Sequence, residues 1–473
     1  MARRAKDEIQ FGTDGWRAVI SDNFTFKNVA IVGQAISDWI RKDLKPIGGC
    51  RRVAVAYDTR FLGREYAQII GCIFAKNNIK VYFSDRPVPT PALSYGVVKT
   101  RSVAGIMVTA SHNPAKFNGI KIKTSQGGGA PTEVTKKVEK YLEKTPVKTM
   151  DFDKAKKERK IKARNFNEAY LKFMKDYIDL KRIRKAKFKV VQDVMHGSGG
   201  RLLEEVLKGS HIRLSLMRAE INPYFNGGKP EPVAEYLDDI LKKVKKEKFD
   251  LGLVLDGDAD RIAAVAPGGE FISPQRILGL ITLHLVRNCG RKGGVVKTTC
   301  GTVLIDNIAE KLGLKLYETP VGFKYISDLM VSERIVAGGE EAGGIGVQDY
   351  IPERDGTLAG LLLLEMMVYE KKNIKRLLYD MEKEFGRYYY ERSDLELKGR
   401  KFDEKRMKAI KKLLGKKVVK IMDYDGVKLT CEDKSWLMLR PSGTEPLVRA
   451  YSEAKSLKKA KELIKVGEAL LKK

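Results

Sequence analysis

The chain has 473 residues, room for about three domains at roughly 100–200 residues each, every one long enough to bury its own core, which excludes a peptide or single-module protein. Hydrophobic residues make up 43% and charged residues 32%, with 43 Gly and 16 Pro spread along the chain, the composition of a soluble globular protein. Lys and Arg number 90 against 60 Asp and Glu, and the net charge of +30 favours anionic partners: sugar phosphates, nucleic acid or acidic lipid.

In chain order, the apolar run Val53 to Tyr57 leads through Asp58-Thr59-Arg60 into a predicted helix, Arg64 to Lys76. Predicted strands follow at Ile79 to Phe83 and Ala104 to Thr109. The same order recurs as strand Phe188 to Val194, a turn from His196 to Gly200, a helix to about Lys208, then strands Ile212 to Leu216 and Leu251 to Leu255. It appears a third time as Val295-Val296, a turn at Cys300-Gly301, a helix to Leu312, Leu314 to Tyr317 and Ile335 to Ala337. Beyond Arg387 the pattern turns strand-rich and ends in the strand Leu447 to Ser452 and a Lys-rich helix. The expected fold is α/β: three similar units with mixed, mainly parallel sheets, 1–150, 151–270 and 271–386, then a smaller C-terminal α+β unit, 387–473.

The five cysteines, Cys50, Cys72, Cys289, Cys300 and Cys431, are odd in number and far apart, with no C-x-x-C pair to suggest a zinc site or a disulfide framework. A reducing, cytoplasmic setting follows. The basic start has no apolar stretch behind it, and the greasiest segment, Leu358 to Tyr369, is broken by Glu365 and too short for a bilayer, so no membrane partner is expected. The basic stretches Lys154 to Arg164, Lys181 to Lys189 and Lys242 to Lys248 read as solvated faces, because aromatics do not interleave with them as a nucleic-acid platform requires.

In open α/β sheets functional groups gather beyond the carboxyl ends of strands. The third strand of each unit ends in an unusual loop: Thr109 to Pro114, Asp256 to Arg261, and Gly338 to Gly344. Asp256, Asp258 and Asp260 alternate after an apolar strand, placing three hard oxygen donors where one Mg²⁺ can bind, although Mn²⁺ fits the same oxygens. An EF-hand is excluded, because Arg261 and Pro267 stand where Gly and Glu are required. Asp256 is an alternative phosphatase nucleophile, but the Thr that often follows such a pair is missing. Ser111 at a strand end suits a turn cap, yet a phosphoserine beside a cation is a phosphoryl donor, and Lys121 can return to the same face. Glu340 and Glu341 in a Gly-rich turn suit sugar hydroxyls or a plain acidic turn. Arg440, Ser442, Gly443 and Thr444, with Arg449 on the next strand, offer forks and hydroxyls that fit a dianionic phosphate. Neither a Walker A loop nor a complete dinucleotide fingerprint is present.

Together these motifs, from Phe11-Gly12-Thr13-Asp14-Gly15-Trp16-Arg17 to Arg440-Pro441-Ser442-Gly443-Thr444, give a chain that resembles the α-D-phosphohexomutases, the phosphoglucomutase/phosphomannomutase group. The resemblance implies four domains around a central cleft. It assigns Ser111 as the phosphoserine, with Ser111, Asp256, Asp258 and Asp260 around Mg²⁺. It implicates Arg17, His112 and Lys121 in catalysis, and Arg261, Gly322, Glu340, Ala342, Arg440, Ser442, Gly443, Thr444 and Arg449 in substrate binding. Many relatives carry Ser where this chain has Ala342, so a hydroxyl contact to the sugar is lost. The implied reaction interconverts a hexose 1-phosphate and 6-phosphate through a sugar 1,6-bisphosphate. Glucose phosphate is favoured, mannose phosphate is open, and glucosamine phosphate is the alternative, since relatives preferring it often carry Glu-Gln-Ser in the third loop. A monomer or homodimer without a nucleic-acid partner is expected.

Overall fold

The computed structural model describes residues 9–12, 14–397, 402–442 and 447–471, and among these the strands form four sheets. The first contains β1 (Trp16–Val19), β2 (Arg52–Tyr57), β3 (Lys80–Ser84), β4 (Ala104–Val108), β5 (Phe117–Thr124) and β6 (Ile161–Arg164), in the order β1-β5-β4-β2-β3-β6. Strands β4, β2, β3 and β6 run parallel, and β1 and β5 close the opposite side antiparallel. The continuous apolar run of β2 reflects burial on both faces: Val53, Val55 and Tyr57 enter one apolar cluster, Ala54 and Ala56 another. Strand β6 lies beyond the expected division at 150. Its pairing with β3, Val81 opposite Ile161, assigns residues 161–164 to the first sheet.

Three helices cover this sheet: α1 (Phe26–Asp43), α2 (Gly63–Lys76) and α3 (Thr90–Lys99). Helix α1 starts where the Thr25 hydroxyl accepts the amide of Asn28, and it carries Arg41 and Lys42 in its last turn, where cations oppose the helix dipole. The second sheet holds β7 (Lys189–Asp193), β8 (Arg213–Met217), β9 (Leu251–Leu255), β10 (Ile262–Ala266) and β11 (Glu270–Ile272), in the order β11-β10-β9-β7-β8. The third unit begins with α4 (Pro274–Leu283), capped by Ser273. It continues through β12 (Gly294–Thr298), α5 (Val303–Leu312), β13 (Leu316–Thr319), α6 (Phe323–Ser332), β14 (Ile335–Gly339), β15 (Ile345–Val347) and α7 (Gly356–Glu370). The third pass of the repeat is the least regular in sequence, and its second strand begins two residues later than expected, at Leu316.

The fourth sheet is antiparallel throughout, in the order β16-β21-β20-β19-β18-β17. Its strands are β16 (Tyr389–Glu396), β17 (Lys412–Leu413), β18 (Lys416–Met422), β19 (Val427–Cys431), β20 (Trp436–Pro441) and β21 (Leu447–Ala454), backed by α8 (Leu457–Leu471).

Each unit keeps apolar clusters of its own, the first a large one around Trp16, Ile36, Val53 and Ile106, but the first three also share a further cluster, in which Ala54, Leu93 and Tyr170 join Leu255, Leu280 and Leu363. The fourth keeps its own, around Leu429, Leu439 and Leu463. Each of the five cysteines is a free thiol. Among the described residues no helix is long and apolar enough to cross a membrane.

Candidate active site

The loop after β4 places Ser111 in a left-handed conformation, φ 52°, which costs a non-glycine residue of order 1 kcal/mol and persists only where the surroundings enforce it. Arg60 enforces it. Its fully buried guanidinium donates to the carbonyls of Ser111 (2.7 Å), Asn113 (2.6 Å), Pro114 (3.0 Å) and Phe117 (3.0 Å). The Ser111 amide donates to Thr109 Oγ1 at 2.9 Å, and that hydroxyl donates to Asp58. Burial lifts the Asp58 carboxyl to about 6 against the pull of Arg60.

The Ser111 hydroxyl, buried and aimed at the loop after β9, donates to Asp256 Oδ2 at 2.9 Å. Asp256 Oδ1 accepts the amides of Asp260 (3.0 Å) and Arg261 (3.1 Å), which curls the loop so that carboxylate oxygens of Asp256, Asp258 and Asp260 lie within 4.8 Å of one another. Gly257 permits the approach, since a Cβ there would stand 2.5 Å from the Ser111 carbonyl oxygen. Burial and the charges of Asp260 and Asp258 hold the Asp256 carboxyl well above the usual carboxylate range. Asp258 Oδ1 and Asp260 Oδ1 are buried without a hydrogen-bond partner. Such atoms are costly unless a cation satisfies them, and an all-oxygen donor set suits Mg²⁺.

The outer oxygens of the triad are held by cations of the chain. Lys121 Nζ lies 2.8 Å from Asp258, 2.9 Å from Asp260 and 2.9 Å from Asp14. Burial works against its ammonium, but the three carboxylates outweigh it and raise its pKa. Arg354 reaches Asp260 (2.9 Å), Asp14 (2.6 Å) and Glu340 (2.9 Å) with different nitrogens. Thr90 donates its hydroxyl to Asp258 Oδ2 at 2.5 Å. Arg17 binds Asn113 Oδ1 (2.8 Å) and Asp14 (3.2 Å). His112 Nε2 stands 3.8 Å from Glu231; burial and the surrounding Arg261, Arg17 and Lys121 push its pKa well below the imidazole range, which keeps the ring neutral.

The third loop joins the second through backbone. The amide of Ile262 donates to the Gly343 carbonyl (3.0 Å), and that of Gly356 to the Ala259 carbonyl (3.1 Å). Arg261 and Ala342 therefore flank one seam. Glu340 is nearly buried with one oxygen taken by Arg354, so it is anchored rather than open, while Glu341 accepts the Thr298 hydroxyl at 3.2 Å. Gly322, φ 135°, precedes α6 in a conformation that strains any side chain. In the fourth unit Arg440 sits opposite Arg449 in the β20–β21 register. Arg440 Nε donates to Asp425 Oδ1 at 2.7 Å, while Asp425 Oδ2 accepts the Val321 amide (2.7 Å) and the Thr299 hydroxyl (3.2 Å). The Ser442 amide bonds to the Leu447 carbonyl, and Arg449 Nε lies 3.9 Å from Asp394. Gly443 and Thr444 lie outside the described residues. Ser111, Lys121, Arg17, the Asp triad, Arg261 and Glu340 thus belong to one connected polar network, His112 stands apart from it against Glu231, and Arg440 connects through Asp425 to the residue before Gly322.

Sequence reasoning passed over Asp14, Thr90, Arg354 and the holding role of Arg60. Asp14 falls inside the quoted Phe11 to Arg17 motif, and Arg60 inside a strand-end turn, so both carried a positional signal. Arg354 carried none beyond its place just before the apolar helix α7.

Four family models match in order: phosphoglucomutase/phosphomannomutase alpha/beta/alpha domain I over residues 8–148, domain II over 168–269, domain III over 273–385, and the C-terminal domain over 396–466. A phosphoglucomutase/phosphomannomutase of Thermococcus kodakarensis is 30% identical over 469 residues, 98% of each chain. A probable phosphoglucosamine mutase of Methanosphaera stadtmanae is 28% identical over the same share. The crystal structure of a putative phosphomannomutase from Thermus thermophilus superimposes with a TM-score of 0.86 at 31% identity, covering 98% of this chain and 99% of that one. The chain belongs to the phosphoglucomutase/phosphomannomutase family, whose members are intramolecular phosphotransferases.

Proposed function

We propose that this protein is a phosphohexomutase that interconverts hexose 1-phosphate and hexose 6-phosphate in the cytoplasm, with glucose phosphate favoured, mannose phosphate open and glucosamine phosphate the alternative. The observation that carries the proposal is the 2.9 Å hydrogen bond from Ser111 Oγ to Asp256, made inside a buried acidic triad. Asp256, Asp258, Asp260 and a Ser111-borne phosphate would hold Mg²⁺, which supplies charge neutralisation to the phosphoryl oxygens.

In the forward half-reaction the phosphorus–Oγ bond of phosphoserine breaks as a bond forms to the free hydroxyl of a hexose monophosphate. The hydroxyl proton leaves to a base of the loop, the freed Ser111 Oγ takes up a proton, and a sugar 1,6-bisphosphate results. The bisphosphate turns over, and its other phosphoryl group returns to Ser111. Arg60 fixes the serine backbone throughout, which keeps the nucleophile in line. Lys121 and Arg17 face the transferring group as cations. His112, held neutral, stands beside the serine where it can accept a proton. Arg440, Ser442, Gly443, Thr444 and Arg449 grip the phosphate that is not transferred. Arg261, Gly322, Glu340 and Ala342 line the sugar. The four units, divided near 150, 270 and 386, each supply one of these loops, and the chain acts as a monomer or homodimer.

The test is a rate panel on glucose, mannose and glucosamine 1-phosphates, with and without sugar bisphosphate, scoring both 6-phosphate product and free phosphate. Glucose 1-phosphate isomerised faster than the other two, without stoichiometric phosphate release, is the expected result. A preference for glucosamine phosphate, the activity named for the Methanosphaera relative, would move the substrate assignment. Steady release of free phosphate with no isomer would replace the mutase with a phosphatase.

A further inference from the structure

Away from the triad, the third unit gathers a second set of chemically capable side chains that the reaction does not use. Helix α4 does not end at Leu283 but widens into a π-turn over His284–Asn288, a local form that often marks functional positions. The turn brings Cys289 back toward its own start, with the Cys289 amide bonded to the His284 carbonyl at 3.1 Å. Glu365 projects from the apolar middle of α7 and is nearly buried. Its Oε2 lies 2.8 Å from His284 Nε2, and its other oxygen accepts the Asp179 amide.

The Cys289 sulfur lies 3.7 Å from that same Nε2, while His284 Nδ1 faces the Asn288 side-chain amide at 3.1 Å. Two acidic groups therefore converge on one ring nitrogen. A proton relay through imidazole would use both nitrogens, one for each partner. A shared focus on Nε2 instead sets nitrogen, sulfur and oxygen donors within 4.8 Å of one another around one point. The nearby Arg291 is engaged by Asp349, so no guanidinium fills the position. Cys289 is exposed and His284 and Glu365 are buried, which gives an entry path from the thiol side.

We propose that His284 Nε2, Cys289 Sγ and Glu365 Oε2 form a binding site for a borderline-soft divalent cation, Zn²⁺ before all. Tetrahedral zinc with its usual bond lengths sets nitrogen and sulfur ligands about 3.6 Å apart, close to the observed spacing, and the carboxylate has to open by about half an ångström. Binding breaks the Cys289 S–H bond and releases its proton to solvent; no electron moves. Thiolate and carboxylate balance the dication. His284 Nδ1 then carries the ring proton and donates it to the turned Asn288 amide oxygen, the orienting bond that metal-bound imidazoles commonly make. Water completes the fourth position on the exposed side. Because the ligands come from the end of α4 and the middle of α7, the ion would staple the two helices.

The experiment uses the full chain, stripped with chelator and then saturated with Mg²⁺ so that the oxygen-only triad is occupied. Titrated Co²⁺ is expected to raise a thiolate-to-cobalt charge-transfer absorption that saturates at one equivalent, and Zn²⁺ is expected to quench it. C289A, altered at a surface position outside the mutase machinery, should abolish the absorption while leaving mutase turnover unchanged; E365Q should weaken Co²⁺ binding at least tenfold. Zn²⁺ should raise the unfolding temperature of the parent but not of C289A. No charge-transfer absorption, an absorption that survives in C289A, or equal Zn²⁺ stabilisation of both proteins would overturn the proposal.

Discussion

Ser111 sits among three units packed around one apolar cluster, whereas Arg440 sits on a sheet with its own core. That sheet joins the third unit through a small cluster around Cys300, Trp436 and Tyr451 and through polar contacts. Asp425 accepts from Val321 and Thr299, Lys428 donates to the Thr299 carbonyl (2.6 Å), and Glu453 accepts the Val303 amide (2.8 Å). The seam is narrower than the cluster shared by the first three units, although its polar contacts are buried and joined by apolar packing around Trp436. In the proposed reaction the group that would give and take phosphate lies within the broadly packed units, and the group that would hold the far phosphate lies across the narrower seam.

Ser111→Ala should break the broadly packed half most severely. We expect turnover to fall by about 10⁴-fold or more with little change in unfolding temperature, read from a coupled 6-phosphate assay beside a melting curve. Survival of a tenth of the activity would remove the serine from the reaction. Arg60→Ala leaves four carbonyls and the Asp58 carboxyl without their buried partner, and about 3–5 kcal/mol of stability should be lost in denaturant unfolding. A loss below about 1 kcal/mol would show that the loop holds its shape without the guanidinium.

Two carboxyls, one from each region, respond to acid with opposite signs. Burial raises the Asp355 carboxyl to about 6, although the amide of Leu358 and the hydroxyls of Tyr170 and Tyr350 favour the anion. The folded state therefore holds this proton more tightly than the unfolded chain, and the group's contribution to stability falls as pH rises from about 4 through 6, by at most about 3 kcal/mol. Asp433 behaves in reverse. Burial opposes its ionisation, but Lys459 and Ser435 overcome it and bring the carboxyl to about 2, so its contribution is present above about pH 4 and lost as pH falls toward 2. Asp355→Asn should flatten the stability profile between pH 4 and 6; Lys459→Met should flatten it only below 4. An Asp355→Asn profile parallel to the parent would refute the assignment.

Smaller effects sharpen the seam. Asp425→Ala frees Arg440 from the Val321 amide, and KM should rise about tenfold while kcat changes less than about threefold. A pure kcat effect would place Asp425 in the chemistry instead. Ala342→Ser, which supplies the hydroxyl the family resemblance would place there, should shift the glucosamine-to-glucose rate ratio by only a few fold, as one added hydrogen bond to a partly solvated sugar allows.

The repeat and the three strand-end loops were legible because hydrophobic alternation and loop chemistry are local. Ser111 and Asp256 could be paired before any coordinates because each closes a strand of the same order in its unit. Arg354 could not, because its position depends on how the turn after β15 folds over the second unit. Nor does any local signal reveal that Ala54 and Leu363 share a core, since both simply read as apolar. The sixth strand of the first sheet escaped for the same reason: Ile161 to Arg164 is short and largely exposed apart from Ile161, and only its partner strand identifies it.

That short strand has a practical bearing on dissecting the protein. A fragment stopped at residue 150 would leave β3 with a bare row of amide and carbonyl groups, a template for pairing with other molecules, so it should aggregate when expressed alone. One carried past Arg164 keeps β3 paired and leaves the short, charged β6 as its border, and the link between the first two units is correspondingly brief.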